Sequence, residues 1–288
     1  MYKDFSHWSI YEGNSFGSGT SQQEWIVNKE TNEIGLFKDR KSEETTDNFS
    51  EKIASEIANK IGLSCARIDL ATRDNRIGVV SYKINSQEED ILEGIQFINR
   101  VYPFYNKDTL IDEETGEKYS LDIVLNSIRG LNLESELFKV FIFDFIIGNT
   151  DRHHSNWAIL MNGGDISICP LYDNASSLCS YVTDEQIDRS IRDKNWVNAL
   201  IDSKSKSLIR INGNKVRHSE FVRYLSQRYY LETVSFVKDI KEKLTNSVID
   251  EILNAYNGVL SDKKIILLKI YLKEKIKILL DIYKISLD

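Results

Sequence analysis

The stretch ESELFKVFIFDFIIGNTDRHHSNWAIL, residues 134 to 160, constrains the fold of this chain more than any other. From Glu134 to Ile147 its apolar residues, Leu137, Phe141 and Phe145 among them, leave no continuous polar side to turn toward water. A helix that is apolar nearly all round is predicted, and such a helix must be enclosed by other elements. The chain has 288 residues, enough to build that enclosure as one large domain or two smaller ones. Gly148 stops the helix, a polar loop presents Asp151, Arg152, His153, His154 and Asn156, and an apolar strand returns from Trp157.

The first third has a different rhythm. Short alternating runs predict strands at WSIY (8–11), EWIVN (24–28), EIGLFK (33–38), ARIDLA (66–71) and RIGVVSYK (76–83). One helix interrupts them, where Phe49, Ile53, Ile57 and Ile61 recur every four residues before Gly62. After about Asn85 the periods lengthen, and only two prolines stand in the way of helices, three of which are predicted beyond His218. The expected class is therefore α+β with two lobes, an antiparallel sheet with one helix followed by a mainly helical part. The boundary is expected between residues 84 and 95, dividing the chain into 1–88 and 89–288. The charged or serine-rich pieces 40–48, 111–120 and 202–206 read as exposed loops.

Composition excludes several classes. Hydrophobic residues are 41% and charged residues 28%, as in ordinary globular proteins. A net charge of −7 argues against broad nucleic-acid binding, which rests on basic surface. Cys65, Cys169 and Cys179 are odd in number and form no CxxC pair, so neither a disulfide framework nor a zinc knuckle is expected. The beginning, MYKDFSHWSIYEG, lacks a basic region followed by an apolar run, and a cytoplasmic location is expected. The tail from Ser261 is hydrophobic but broken by lysines throughout, so it is no membrane span. Its residues Ile265, Leu268, Leu272, Ile276, Leu279 and Tyr283 form one helical stripe, expected to pack in the core, with a membrane-surface or partner helix as the alternative.

The chemistry concentrates in the loop and in ISICPLYDNASS, residues 166 to 177. Asp151 and Asn156 have the D-x-x-x-x-N spacing with which protein kinases place a catalytic Asp and a magnesium-binding Asn. Asp173 stands after a short hairpin, where a second acid supplies the main metal carboxylate. An Asp can orient an attacking hydroxyl and take its proton, while an amide carbonyl and a carboxylate are hard oxygen ligands suited to Mg²⁺. The spacing alone is weak, since roughly one such match arises by chance in a chain of this size. The loop between two apolar elements, the Arg-His insert and Asp173 on the return hairpin make the compound signal specific.

GNTDRHHSNWAI followed by PLYDNASS resembles the catalytic and metal motifs of the HipA-like serine/threonine protein kinases. The likeness is specific over about 35 residues and weaker through the N-terminal strands and helix. It implies ATP and Mg²⁺ as cofactors, Asp151 as base, and Asn156 and Asp173 as metal ligands. It also implies a protein substrate with a Ser or Thr acceptor, and a toxin role with an antitoxin or other regulatory protein encoded beside it. The chain enters the sheet almost at once, resembling the compact members of the group rather than the larger ones with an extra N-terminal subdomain.

The remaining parts of an ATP site are expected in the sheet. Lys38 closes the strand GLFK like the lysine that holds phosphates, against the alternative of an exposed strand-end lysine. Glu51 matches the helix acid that pairs with such a lysine, but Asn48 and Glu51 also have capping-box spacing. Gly17 and Gly19 belong to a turn whose amides can approach phosphate, and Ser15, Ser18, Thr20 and Ser21 in it are candidates for self-phosphorylation. Ser81 and Tyr82 open the segment expected to link the lobes and offer main-chain groups to adenine. Arg152 is expected to brace the loop or a phosphate, and Cys169 and Cys179 to be packing residues. Adjacent histidines seldom face one ion, which argues against zinc at His153 and His154. Two other readings stay open: a phosphoinositide-type lipid kinase, which shares D-R-H-x-x-N, and a non-catalytic binding module that kept the fold.

Overall fold

The computed structural model describes residues 1–13, 23–86 and 88–286. Its first sheet holds β1 (Lys3–Asp4), β2 (Ser9–Ile10), β3 (Gln23–Val27), β4 (Ile34–Asp39), β5 (Ile68–Arg73) and β6 (Arg76–Tyr82), with helix α1 (Asp47–Lys60) between β4 and β5. The order across the sheet is β1-β5-β6-β4-β3-β2. The last five pair antiparallel, as alternation predicted, but β1 runs parallel to β5 with Lys3 opposite Ala71. Two residues are too few to show alternation, and the Lys3 ammonium anchors this edge on Asp69 at 2.7 Å.

Register decides what the sheet offers to each side, because neighbouring side chains on a strand point to opposite faces. Gln23, Lys38 and Val79 stand abreast on β3, β4 and β6, and Trp25, Leu36 and Ser81 form the next row. Both rows line one cleft. The alternate residues Ile26, Phe37 and Val80 face the other way and make a small core with Phe5 and Trp8.

The chain then leaves this sheet. β7 (Asp90–Glu93) precedes α2 (Gly94–Val101), the small hairpin β8 (Tyr105–Asn106) and β9 (Ile111–Asp112), α3 (Leu121–Ser127) and α4 (Glu134–Ile147). β10 (Ala158–Asn162) and β11 (Asp165–Ile168) follow, and β7 pairs with β10 to complete a three-stranded sheet. Next come α5 (Asp184–Ser190), α6 (Lys194–Asn198), a π-helical turn (Ala199–Ser203), α7 (His218–Arg228), α8 (Tyr230–Lys243), α9 (Asn246–Asn254) and α10 (Asp262–Tyr283). Among the described residues four helices thus run from His218 onward instead of three, because Tyr229, at φ −133° and ψ 42°, breaks the helix between α7 and α8.

From Leu137 to Ile147 every residue of α4 but Lys139 is buried, as an all-apolar helix requires. One continuous core joins α1, α4 and α10, and the stripe from Ile265 to Tyr283 lies in it. Two features run against the sequence reading of the polar segments. Lys264 and Lys275 of α10 are buried among the apolar stripe. The pieces expected as exposed loops are partly interior: Asp47 and Asn48 start α1, Asp112 and Ser120 are buried near the β8–β9 hairpin, and Ser205 is buried beneath the loop after α4. Most of the polar atoms there find partners, as Asp112 Oδ2 does in the Thr115 amide and hydroxyl, while Asp112 Oδ1 and Asn48 Oδ1 stay without one. No helix among the described residues is long and apolar enough to cross a membrane.

Candidate active site

α4 delivers the functional loop and fixes its start. Gly148 ends the helix at φ +67°, and a Cβ there would lie 2.0 Å from the Tyr271 hydroxyl of α10, so only glycine fits. Asn149 then folds back, its side-chain oxygen accepting the Asp151 N–H at 3.0 Å. Arg152 turns inward from the loop. Its Nε and Nη2 donate to the two oxygens of Asp144 at 2.9 and 2.7 Å, and Nη2 also reaches Asn174 Oδ1 at 2.7 Å. Its Nη1 donates to the carbonyls of Asn156, at 2.6 Å, and Tyr172, at 3.3 Å. One guanidinium therefore ties α4 to the loop and to the segment that carries Asp173, which is the bracing role expected of Arg152.

Asp144 is the residue that sequence reasoning missed. Burial pushes its carboxyl above the usual range despite the two bonds from Arg152. A single acid inside the run VFIFDFII was the available signal, since an ionisable group in an enclosed helix needs a partner.

Asp151, Asn156 and Asp173 meet on one side of the cleft. The Asn156 amide nitrogen donates to the Asp151 carbonyl at 2.7 Å, which fixes the amide and leaves its carbonyl oxygen for a cation. Asp173 has φ +55°, an uncommon conformation for a residue with a side chain. Its Oδ1 lies 3.2 Å from Lys38 Nζ, and this ammonium holds the Asp173 carboxyl below the usual range against the effect of burial. Asp151 shifts the other way: burial raises its carboxyl, His153 opposes this, and the Asp173 charge adds to it. Neighbouring acids are thus driven apart, one toward holding a proton and the other toward staying charged.

The sheet supplies the opposite wall. Lys38 Nζ also lies 3.9 Å from Oε1 of Glu51, whose side chain is only 2% exposed. Burial raises the Glu51 carboxyl and Lys38 opposes it. The capping-box reading of Asn48 and Glu51 fails, because α1 starts at Asp47 behind Thr46 and both residues lie inside it. Ser81 faces the cleft, whereas the Tyr82 ring turns to the other face, its hydroxyl on Asp69 at 2.9 Å and Arg67 over its ring. The N–H groups of Tyr82 and Lys83 are donated to the carbonyls of Arg67 and Ile34, both at 2.9 Å. Gly17, Gly19, Ser15, Ser18, Thr20 and Ser21 lie outside the described residues, although the strands on either side, β2 and β3, pair with Ile10 opposite Ile26.

The two histidines part company. His153 borders the cleft and its Nδ1 accepts the Ser155 N–H at 3.1 Å. His154 is buried edge-on against Tyr105 and Tyr119, where burial pushes its pKa down to about 4. Burial also pushes the Cys169 thiol up to about 12 and the Cys179 thiol up to about 11, as befits packing residues. Together the walls enclose a cleft of about 390 Å³, apolar around Leu36, Ile84 and Ile91 and charged around Lys38, Asp151 and Asp173.

A curled sheet with one helix over a helical part, with a charged cleft between them, defines the kinase-like class of fold. Residues 8–255 match the HipA-like C-terminal domain, and the chain belongs to that family. It is similar to the serine/threonine-protein kinase CtkA of Helicobacter pylori, 25% identical over 196 residues. That alignment covers 65% of this chain and 58% of the relative, less than two thirds of the relative's length. The crystal structure of the H. pylori proinflammatory kinase CtkA superposes with a TM-score of 0.82 at 20% identity, over 98% of this chain and 97% of that one. HipA of Shewanella oneidensis, solved in a toxin–antitoxin complex with HipB and operator DNA, superposes at 0.57 and 12% identity, over 96% of this chain and 69% of that one. These superpositions establish the fold.

Proposed function

We propose that this chain is an ATP- and Mg²⁺-dependent serine/threonine protein kinase acting in the cytoplasm, with residues 1–88 and 89–288 as its lobes. The observation that carries the reading is the convergence of Lys38, Glu51, Asp151, Asn156 and Asp173, from both walls, around one charged end of a cleft whose other end is apolar.

Each side chain has a task that its surroundings suit. Lys38 neutralises phosphate charge, and its two acids hold the ammonium charged at the cleft wall. The raised Asp151 carboxyl orients the acceptor hydroxyl and takes its proton as the oxygen attacks. Asp173, kept ionised, and the carbonyl end of Asn156 are the oxygen donors that would hold Mg²⁺, and they fit a hard cation. Bound there, the ion would neutralise charge that grows on the transferring phosphoryl group. The adenine would lie between Leu36 and Ile91, taking its main-chain N–H donor from beyond Lys83, since the amides of Tyr82 and Lys83 are already committed. Self-phosphorylation at Ser15, Ser18, Thr20 or Ser21, and a regulatory or antitoxin partner, are finer parts of the same proposal and rest on family resemblance.

The test is incubation with labelled ATP and Mg²⁺, alone and with cell lysate, for the wild type and Asp173→Ala. Label on protein serine or threonine in the wild type, lost in the variant, is expected. Label on lipid instead overturns the protein-kinase reading, and no label with either acceptor points to a binding module.

A further inference from the structure

Beneath the loop that carries Asp151, three side chains from separate parts of the chain form a hydrogen-bonded line that the proposed chemistry does not use. Lys275 of α10 is fully buried, its ammonium 4.5 Å from the centre of the Phe145 ring and 3.0 Å from Ser205 Oγ. Ser205 Oγ lies 3.0 Å from Nδ1 of His218, and Nε2 of the same ring lies 2.9 Å from the main-chain oxygen of Asn149. Asn149 in turn holds the Asp151 N–H through its side chain.

The direction of every bond follows from what each group can do. A carbonyl only accepts, so His218 must carry its proton on Nε2 and donate it to Asn149. His218 Nδ1, left without a proton once Nε2 donates to Asn149, takes the single proton of Ser205, whose oxygen then accepts from the Lys275 nitrogen. The Tyr271 hydroxyl beside Ser205 can add a donor but takes nothing from this order. Burial, and then the Lys275 charge, push the His218 pKa down to about 3, so the ring stays neutral in that one tautomer. Among the described residues no carboxylate forms an ion pair with Lys275, and a buried amino group without one is costly whether it keeps its proton or sheds it. An apolar residue would fill the same space at lower cost, so the line does something that packing alone does not.

We propose that Lys275, Ser205 and His218 are positioning residues for phosphoryl transfer: they hold the Asn149 carbonyl, and through Asn149 the backbone of Asp151, in the geometry the base requires. The proposal rests on the reading of Asp151 as that base. α10, far along the chain, thereby becomes part of the support of the catalytic loop.

The variants His218→Leu, Ser205→Ala and His218→Gln decide it, read by kcat, by KM for ATP, by melting temperature and by hydrogen exchange at the Asp151 amide. His218→Leu and Ser205→Ala should lower kcat about tenfold to a hundredfold, the scale of a misplaced catalytic group, with KM for ATP little changed and faster exchange at Asp151. His218→Gln, whose amide N–H can replace Nε2–H, should recover much of both. Wild-type kcat and exchange in His218→Leu would overturn the proposal, as would a folded glutamine variant no better than leucine. Should His218→Leu fail to fold, Ser205→Ala, which removes one hydroxyl, carries the same comparison. A wild type that transfers no phosphate, yet whose Asp151 amide exchanges faster in these variants, would sink the kinase reading and with it the role in transfer, and keep only the hold on the Asp151 backbone.

Discussion

On the sheet side of the cleft, Lys38 meets its acids at 3.2 and 3.9 Å, and the Asp173 side chain is 41% exposed. On the loop side, Arg152 is buried and makes five hydrogen bonds, to α4, to its own loop and to the segment of Asp173. The first wall can let go of its ion pair when a phosphate competes for the ammonium. The second ties its main chain through bonds that are buried away from the cleft's solvent. Catalysis by positioning gains most when the reacting groups are fixed in advance, and on the proposed function Asp151 would sit on the fixed wall and Lys38 on the adjustable one.

The sharpest way to break this contrast is Arg152→Met. It strips Asp144 of its partner inside the protein, and removal of one member of a buried pair destabilises by about 3–5 kcal/mol. Denaturant unfolding followed by circular dichroism measures it, and the double variant Asp144→Leu, Arg152→Met should win part of the loss back. A change in the single variant no larger than that of an ordinary surface substitution would mean that the loop is not held in this way.

Asp151→Ala should separate chemistry from support. A positioned base contributes about 10²–10⁴ in rate, so transfer should fall by that factor while ATP affinity and the fold persist. Equal loss of affinity and rate in a folded variant would assign Asp151 to binding instead. Lys38→Met tests the adjustable wall. ATP affinity should drop, but stability by only about 1–2 kcal/mol, because Glu51 can take up a proton when its cation is removed. A stability loss as large as that of Arg152→Met would erase the difference between the walls.

The most gradual effect is a slope with pH. Burial pushes the Lys275 pKa down to about 7, with Cys179 and Asp202 opposing the shift. Its value in the unfolded chain is the ordinary lysine one of about 10.4. Between these pH values the unfolded state binds more protons, so the contribution of Lys275 to stability rises with pH, by at most about 1.4 kcal/mol per unit. Below about pH 7 both states are protonated and the slope vanishes. Melting temperatures of the wild type relative to Lys275→Met should therefore climb from pH 7 to 9. A flat difference would mean that Lys275 keeps its proton in the folded protein up to pH 9.

What could be read directly from the chain is what neighbouring residues decide among themselves. Alternation marked β3 to β6, and the four-residue period marked α1. The spacing from Asp151 to Asn156 and the hairpin before Asp173 marked residues that line the charged end of the cleft, because a short loop between two apolar elements has few ways to fold. The strand register that aligns Lys38 with the cleft also lay within reach of a period-two reading. Glu51 did not, since a helix-capping acid and an ion-pairing acid look alike in sequence. Only the packed chain separates them, by burying Glu51 beside Lys38.

Other parts of the site were beyond any local pattern. Asp144 and Arg152 are eight residues apart and point at each other only once α4 is enclosed. Lys275 looks like one more lysine interrupting an apolar tail, and Ser205 like one more serine in a loop. Their partners, Phe145, His218 and Asn149, come from segments far apart in the chain, and no periodicity records which of them will meet. The chain alone determined which residue types stand near one another along the backbone, and so the elements and the chemistry of one loop. Which polar groups would lose their water, and which partner each would find there, was decided by tertiary packing, because desolvation depends on everything that surrounds a group in space.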